Sequence, residues 1–279
     1  MDIQTIQSTY PSAIWFDSAY SGTESGTFAE PYNTFTEAFS AVSASGVIAV
    51  KSGTHQDNLV TLNKSITIVG TGHDAILEKS STGIDVTSAI TFLDLGLKTT
   101  TGGGNTYFMR LQVTSPAFTC TIKGCKCFNT NSSLDGFISG DNNANNSLVV
   151  SESVFELQCT TTDQGAVLRS WNYGYFADTS FTSCTIKLTG GNAQSFLGYG
   201  KYSTSTRTTK NCIFVGFTGN ETLYSNSTGT IVDTNNCYHT TAHSGGTNNV
   251  FSDPLFVDSA TSDYRLRPSS PCINAGTAS

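Results

Sequence analysis

Two carboxylates, Glu152 and Asp178, are the side chains of this chain whose spacing best suits catalysis. Each lies three residues before an aromatic residue, Phe155 or Phe181, so the sequence predicts equivalent positions on neighbouring repeats. One or two strand spacings in a parallel sheet would place the two carboxylates about 5–10 Å apart. Glycoside hydrolysis needs such a pair, with one carboxyl group as the acid and the other as nucleophile or base.

A turn explains the same two residues without any chemistry. Aligned on the aromatic residue, the other repeats carry Cys125, Asn211 and Asn235 at this position, and Asn and Asp are turn formers in their own right. Arg169 is the nearest basic residue that could complete a catalytic group. No contiguous catalytic motif accompanies it, so we prefer the turn and keep the catalytic group as the alternative. Further possible members are Asp135, Asp163 and Asp233.

Aromatic residues form a second candidate site. The run Trp171, Tyr173 and Tyr175 is followed, about one repeat later, by Tyr199 and Tyr202. Exposed aromatic rings on one flank would stack on sugar rings or anchor a protein interface. Packing beneath the long loops of these repeats accounts for them equally well.

No residue set has the spacing of a metal site. Cys125 and Cys127 are separated by one residue, and no second pair follows at a matching distance, unlike a zinc site. His239 and His243 have helical spacing but lie in a segment that reads as strand and loop. The eight cysteines are predicted to be reduced and mostly buried, since a chain of 279 residues does not need disulfides for stability.

A strand-like segment that returns throughout the chain must position these residues. Uncharged turn residues separate the copies, and a bounded, variable interval is typical of a stacked array. The segment begins near Val47, Ile66, Ile90, Phe118, Leu148, Tyr175, Thr206 and Thr230. A second strand aligns on Phe128, Phe155, Phe181, Phe214 and Tyr238, and a third on residues 107–113, 136–140, 166–170, 195–200 and 222–226. The pattern predicts a single-stranded right-handed parallel β-helix, an all-β solenoid.

A short helix is predicted before the first repeat. Thr34 and Glu37 have the spacing of a capping box, and Phe35, Phe39 and Val42 share one helical face. Such a helix would cover the open end of the solenoid. We therefore predict one domain in three parts: 1–46 with the amino-terminal strand and capping helix, 47–252 with the repeats, and 253–279 as a closing segment.

Composition excludes several classes of function. Charged residues are 13% of the chain, the formal net charge is −7 and the isoelectric point is about 4.9. Basic residues are not clustered, so nucleic-acid binding is not expected. No apolar run approaches the roughly 20 residues of a transmembrane helix, and residues 1–16 lack the pattern of a signal peptide, so neither membrane insertion nor export by that route is expected.

Both ends of the chain resemble one family. IWFDSAYSGTESGTFAEPYNTFTEAFSAV and GVIAVKSGTHQDNLVTLNKSITIVGTG are similar to the amino-terminal part of the pectin-lyase-like parallel β-helix superfamily. DPLFV, DYRL and SPCINAG near the other end look like its closing segment. The resemblance implies the β-helix fold. The superfamily includes polysaccharide lyases and hydrolases, phage tailspikes, adhesins and virion proteins, and its lyases typically combine calcium-binding carboxylates with a basic residue.

Three functional hypotheses follow. The first, which we prefer, is a non-catalytic virion structural protein, a capsid decoration or tail-type subunit of a bacteriophage, working as a homotrimer with other virion proteins and assembled in the host cytoplasm. The second is a polysaccharide lyase or glycoside hydrolase using Glu152, Asp178 and Arg169, with calcium as a cofactor if it is a lyase. The third is an extracellular glycan-binding adhesin using Trp171, Tyr173, Tyr175, Tyr199 and Tyr202. The first and third need no cofactor.

Overall fold

Parallel strands, stacked in the order of the chain, make up almost the whole fold. The computed structural model describes residues 1–56, 61–80, 83–100, 107–112, 114, 116–130, 136–140, 146–158, 165–170, 176–189, 195–197, 205–217, 229–239 and 246–277. The helices are α1 (Ile3–Thr9) and α2 (Phe35–Ala41). The strands are β1 (Ile14–Phe16), β2 (Val47–Val50), β3 (Gly53–Gln56), β4 (Thr61–Leu62), β5 (Ile66–Lys79), β6 (Ile84–Val86), β7 (Ile90–Thr99), β8 (Met109–Leu111), β9 (Thr119–Lys123), β10 (Lys126–Asn129), β11 (Ile138–Gly140), β12 (Ser147–Ser151), β13 (Val154–Gln158), β14 (Gly165–Ser170), β15 (Asp178–Thr182), β16 (Thr185–Thr189), β17 (Ser195–Leu197), β18 (Thr206–Lys210), β19 (Ile213–Val215), β20 (Thr230–Thr234), β21 (Cys237–His239), β22 (Val250–Phe251), β23 (Phe256–Asp258) and β24 (Asp263–Leu266).

Three faces run along the solenoid. The first face comprises β2, the first parts of β5 and β7, then β9, β12, β15, β18 and β20. The second comprises β3, the remaining parts of β5 and β7, then β10, β13, β16, β19, β21 and β22. The third comprises β4, β6, β8, β11, β14 and β17. Each strand pairs in parallel with its counterparts in the turns before and after it, which confirms the predicted right-handed parallel β-helix.

The repeating segment of the sequence is the first face. All eight predicted copies are strands, although the sixth begins at Asp178 rather than at Tyr175. Alternate residues of each strand point inward, as in β12, where Leu148 and Val150 are fully buried between more exposed neighbours. Period-two alternation is what a sheet with one buried face requires.

The predicted alignment of the second strand on five aromatic residues is wrong at two of them. The inward column of the second face consists of Leu97, Cys127, Phe155, Ile186, Phe214 and Tyr238. Phe128 lies one residue beyond this column and faces outward beside Lys126. Phe181 belongs to β15 on the first face, where it pairs with Val150. Buried phenylalanines occur on more than one face, so their spacing along the chain does not fix the register.

A tight turn joins the first face to the second in successive rungs. Each turn contains one residue with a left-handed backbone, a conformation that Gly and Asn adopt more easily than other residues. These residues are Asp94 (φ 52°), Gly124 (φ 64°), Glu152 (φ 52°), Ser183 (φ 56°), Asn211 (φ 56°) and Asn235 (φ 56°). Their amide groups continue the ladder to the next rung, as from Glu152 to the carbonyl of Thr182 at 3.0 Å. The prediction that Glu152 occupies a turn is therefore confirmed.

Cysteines line the inside of this turn. The buried residues that directly follow the left-handed position include Cys125, Ser153, Cys184 and Cys212. Each side chain donates a hydrogen bond to the carbonyl two residues earlier, as from Cys212 Sγ to the oxygen of Lys210 at 3.3 Å. Burial raises the pKa of the Cys125 thiol to about 12, so this thiol stays protonated and acts as a small hydrogen-bonding core residue.

Two helices cover parts of the solenoid. The predicted helix is confirmed as α2: Thr34 caps it by accepting a hydrogen bond from the Glu37 amide, and Phe35 and Phe39 join the main core. Helix α1 was not predicted from the sequence; it lies outside the first face and buries Ile6 against Val69 and its neighbours. None of the helices described by the structure is long and apolar enough to span a membrane.

The left-handed turn yields a prediction at Glu152. Glu152→Val should destabilise the protein by about 1–2 kcal/mol, because a β-branched residue resists positive φ. Glu152→Asn should retain full stability, since Asn tolerates this backbone. Both variants remove the carboxylate. If urea unfolding showed the same loss of stability for both, the charge of Glu152 and not its backbone conformation would be responsible.

Candidate functional site

Glu152 and Asp178 lie at opposite ends of paired strands. Leu148 of β12 pairs with Thr179 of β15, so Asp178 lies level with Ser147 at the start of its strand. Glu152 follows the end of β12, five residues further along, which separates the two backbones by about 16 Å. The expected equivalence of Glu152 and Asp178 is wrong, since Ser183 is the counterpart of Glu152, and no acid–nucleophile pair at about 5 Å is formed.

Both carboxylates have ordinary structural partners. The Glu152 carboxylate is 3.5 Å from the Lys123 ammonium, and both side chains are at least half exposed. An exposed ion pair of this kind contributes little to stability. Asp178 accepts a hydrogen bond from the Thr206 amide of the next rung at 2.7 Å. These contacts belong to the turn and to the strand edge.

A charged row that the sequence analysis missed crosses the third face. Asp85 and Arg110 are paired residues of β6 and β8, and their side chains form a bidentate ion pair with N–O distances of 2.9 and 3.1 Å. The Tyr107 ring lies 5.6 Å from the guanidinium. Ser139 and Arg169 occupy the next two positions of the same register column. The backbone therefore aligns Arg169 with Arg110, two rungs or about 10 Å apart.

A sequence signal for this row exists. Asp85 and Arg110 are single charged residues between apolar neighbours in the strands IDV and MRL. A charged residue at the central, outward position of a short strand marks a surface column. The side chain of Arg169 and the aromatic candidates Trp171, Tyr173, Tyr175, Tyr199 and Tyr202 lie outside the described residues, as do Asp135 and Asp163.

Asp233, the remaining candidate carboxylate, lies inside the solenoid. It accepts hydrogen bonds from Tyr238 Oη at 2.7 Å, Thr209 Oγ1 at 3.0 Å and Asn249 Nδ2 at 3.0 Å, and also from the Asn236 amide group. Only 4% of the residue is exposed, so substrate has no access. This network ties the last strands of the first two faces together.

A calcium site of a lyase is expected to use a cluster of carboxylates. No three His, Cys, Asp or Glu side chains converge in the part of the chain that the structure describes. Both oxygens of the Asp85 carboxylate accept hydrogen bonds from Arg110, so this carboxylate pairs with the guanidinium. The lyase hypothesis therefore gains no metal-binding residues from these segments.

A flat surface rich in hydroxyl groups covers the outside of the first face. We call it the hydroxyl face; it consists of the outward residues of β9, β12, β15, β18 and β20. They are Thr119, Thr121, Lys123, Ser147, Val149, Ser151, Asp178, Ser180, Thr182, Thr206, Thr208, Lys210, Thr230, Val232 and Thr234. The middle column has no charge, and its Val149 and Val232 are 38% and 37% exposed. Small and β-branched side chains give this surface little relief.

The closing segment is fixed to the outside of the second face. The antiparallel hairpin of β23 and β24 brings Ser262 Oγ to within 2.7 Å of Glu156 Oε1, and Tyr264 Oη also donates to this carboxylate. Lys126 completes the group at 2.7 Å. Burial opposes ionisation of Glu156, but hydrogen bonds from Lys126, Tyr264 and Ser262 hold its pKa below the usual value. Burial and the adjacent Glu156 raise the pKa of Tyr264, which remains a donor.

Acid should release this hairpin. Because the pKa of Glu156 is lowered by folding, its contribution to stability is present at neutral pH and is lost as the pH falls below about 4. Glu156→Gln should cost about 1–3 kcal/mol in urea unfolding at pH 7, and this difference should shrink as the pH falls below about 4.

The control for this prediction is Asp263→Asn in the same hairpin. Asp263 pairs with Arg265, whose side chain is 80% exposed. Loss of this exposed ion pair should leave the unfolding midpoint unchanged. A stability difference at Glu156 that does not shrink as the pH is lowered would contradict the assigned role of its charge.

Comparisons with known proteins add a likeness in fold. No protein-family model matches the chain, and no curated protein matches it. Among solved structures it is similar to a crystal structure of pectate lyase Pel9A, with 12% identity over 96% of this chain and 93% of that chain and a TM-score of 0.43. That protein is a polysaccharide lyase. Its activity does not transfer at this similarity, and the strand register establishes the β-helix without it.

Proposed function

We propose that the chain is a non-catalytic structural subunit of a virion, of the capsid-decoration or tail type. The hydroxyl face carries this proposal. It is a flat surface of five parallel strands whose middle column lacks charge and exposes Val149 and Val232. Such a surface suits lateral contact with another protein, because few charges lose water on burial.

The chain itself already uses the first face for docking. Over the earlier rungs α1 packs on the outward residues Ala49 and Val69, with Leu93 beside them. The amino terminus is held there by a 3.2 Å ion pair with Asp94. The hydroxyl face continues the same surface beyond the helix. An intramolecular element thus covers one half, and a partner in an assembled particle would cover the other.

Incorporation into particles tests the structural role. Mass spectrometry of purified virions from the source should find the chain at a fixed stoichiometry, in the proportion of a coat or tail component. Val149→Lys should reduce incorporation, because the middle of the hydroxyl face would then bury a charge. Thr189→Lys makes the same kind of change on an exposed position of the second face and should leave incorporation unchanged. Absence of the chain from particles would refute the proposal.

The row on the third face favours a second candidate, a protein that binds or cleaves acidic glycans. Arg110, held by Asp85, and Arg169 recur on one register column, and arginine forks match carboxylate groups. Depolymerisation and binding should be measured with uronic-acid and neutral glycans, with and without calcium. Arg110→Gln should weaken an activity of this kind at least about tenfold, whereas Lys123→Gln on the first face should not. Lack of activity on acidic glycans would eliminate this candidate.

A further inference from the structure

We propose that two copies of this chain pair through their hydroxyl faces, about a two-fold axis parallel to the solenoid axis. The inference rests on the proposed structural role and identifies the first partner as a second copy. A two-fold contact joins the same surface on both subunits, so this surface must be complementary to itself. The hydroxyl face meets that condition in shape and in charge.

Shape is provided by the middle column. Under the proposed axis each residue of this column meets its own counterpart, so bulky or charged side chains would prevent close approach. The column consists of Thr121, Val149, Ser180, Thr208 and Val232, which are all small or β-branched and uncharged. Their hydroxyl groups can pair directly or through bridging water.

Charge selects the direction of the pair. Lys123 and Lys210 lie in the column at the carboxyl ends of the strands, and Asp178 lies in the column at the amino ends. An axis parallel to the solenoid places the amino-end column of one copy over the carboxyl-end column of the other. Asp178 then lies about one rung, or about 4.8 Å, from the level of Lys210 in the other copy.

The opposite direction is disfavoured by the same charges. A two-fold axis perpendicular to the solenoid, within the plane of the face, would place the lysine column over itself. Lys210 would then lie opposite Lys123, whose charge is shared with Glu152 at 3.5 Å, and Asp178 would face no lysine. Parallel pairing is the arrangement that brings Asp178 to the lysine column of the other copy.

Size limits the strength of the pair. Five strands spaced about 4.8 Å apart, with five residues of about 3.3 Å each, give about 400 Å² per copy. A standard interface buries about 800 Å² per partner, so the isolated pair should be weak and depend on concentration. A trimer would need two different surfaces, because a three-fold ring joins unlike faces. The homotrimer expected from the sequence is therefore the competing arrangement.

A charge reversal with rescue tests the pairing. Sedimentation equilibrium over a wide concentration range should show a monomer–dimer equilibrium for the unchanged protein. Asp178→Lys and Lys210→Asp should each weaken dimerisation by about tenfold or more, and the double variant should recover it. Asp178→Asn keeps the oxygen that accepts from the Thr206 amide and removes only the charge, so it should weaken the dimer without affecting the unfolding midpoint.

The outcomes separate this inference from the proposed function. A protein that stays monomeric at every concentration, a trimeric mass, or a dimer indifferent to both reversals overturns the two-fold pairing. Incorporation into particles is measured independently. A dimer that obeys the charge reversals but is absent from virions would refute the structural role and leave the pairing intact.

Discussion

The turn between the first and second faces is the constraint on which the rest of the solenoid depends. The left-handed residue lets the chain turn sharply from the first face to the second. The turn has the same length in each rung from Asp94 to Asn235, which holds both faces in register. One extra residue there would exchange inward and outward side chains over a whole strand. In four of these turns the buried residue that follows is cysteine or serine, which donates to a nearby carbonyl, as Cys184 and Ser153 do.

The last two turns serve a second purpose. Asn211 exchanges hydrogen bonds with the backbone of Thr277 at 2.8 and 3.1 Å, and Asn235 donates to the carbonyl of Ala275 at 3.0 Å. Asparagine tolerates positive φ and also offers a side-chain amide, whereas glycine provides only the first property. The tail that ends the chain is therefore fixed by the residue type that the turn already favours. Glu156 fixes the preceding hairpin by a different means, a charged acceptor shared by several donors.

Much of the fold could be predicted from the sequence because its causes are local. In the strands of the first face, buried and exposed residues alternate with period two. The start of α2 is predicted by the capping residues Thr34 and Glu37. The register of the second face could not be predicted, since Phe155 and Phe181 both follow an acidic residue by three positions yet belong to different faces. The pairs Asp85–Arg110 and Lys126–Glu156 join residues 25 to 30 positions apart across rungs of unequal length. Such pairs can be identified only when the length of each loop is known, because that length decides the rung to which a residue belongs.

The distribution of charge distinguishes the three faces more clearly than their fold does. On the second face the outward charges are paired within the chain, as in Glu78 with Lys98 at 2.6 Å, and the closing hairpin covers the next rungs. The third face carries an arginine held in place by a carboxylate, and the second candidate function rests on this pair. The first face is covered by α1 over its apolar part, and beyond it the middle column carries no charge. Since desolvation is least costly where charges are few, the middle column of the hydroxyl face is the part of the described surface that can be buried at low cost.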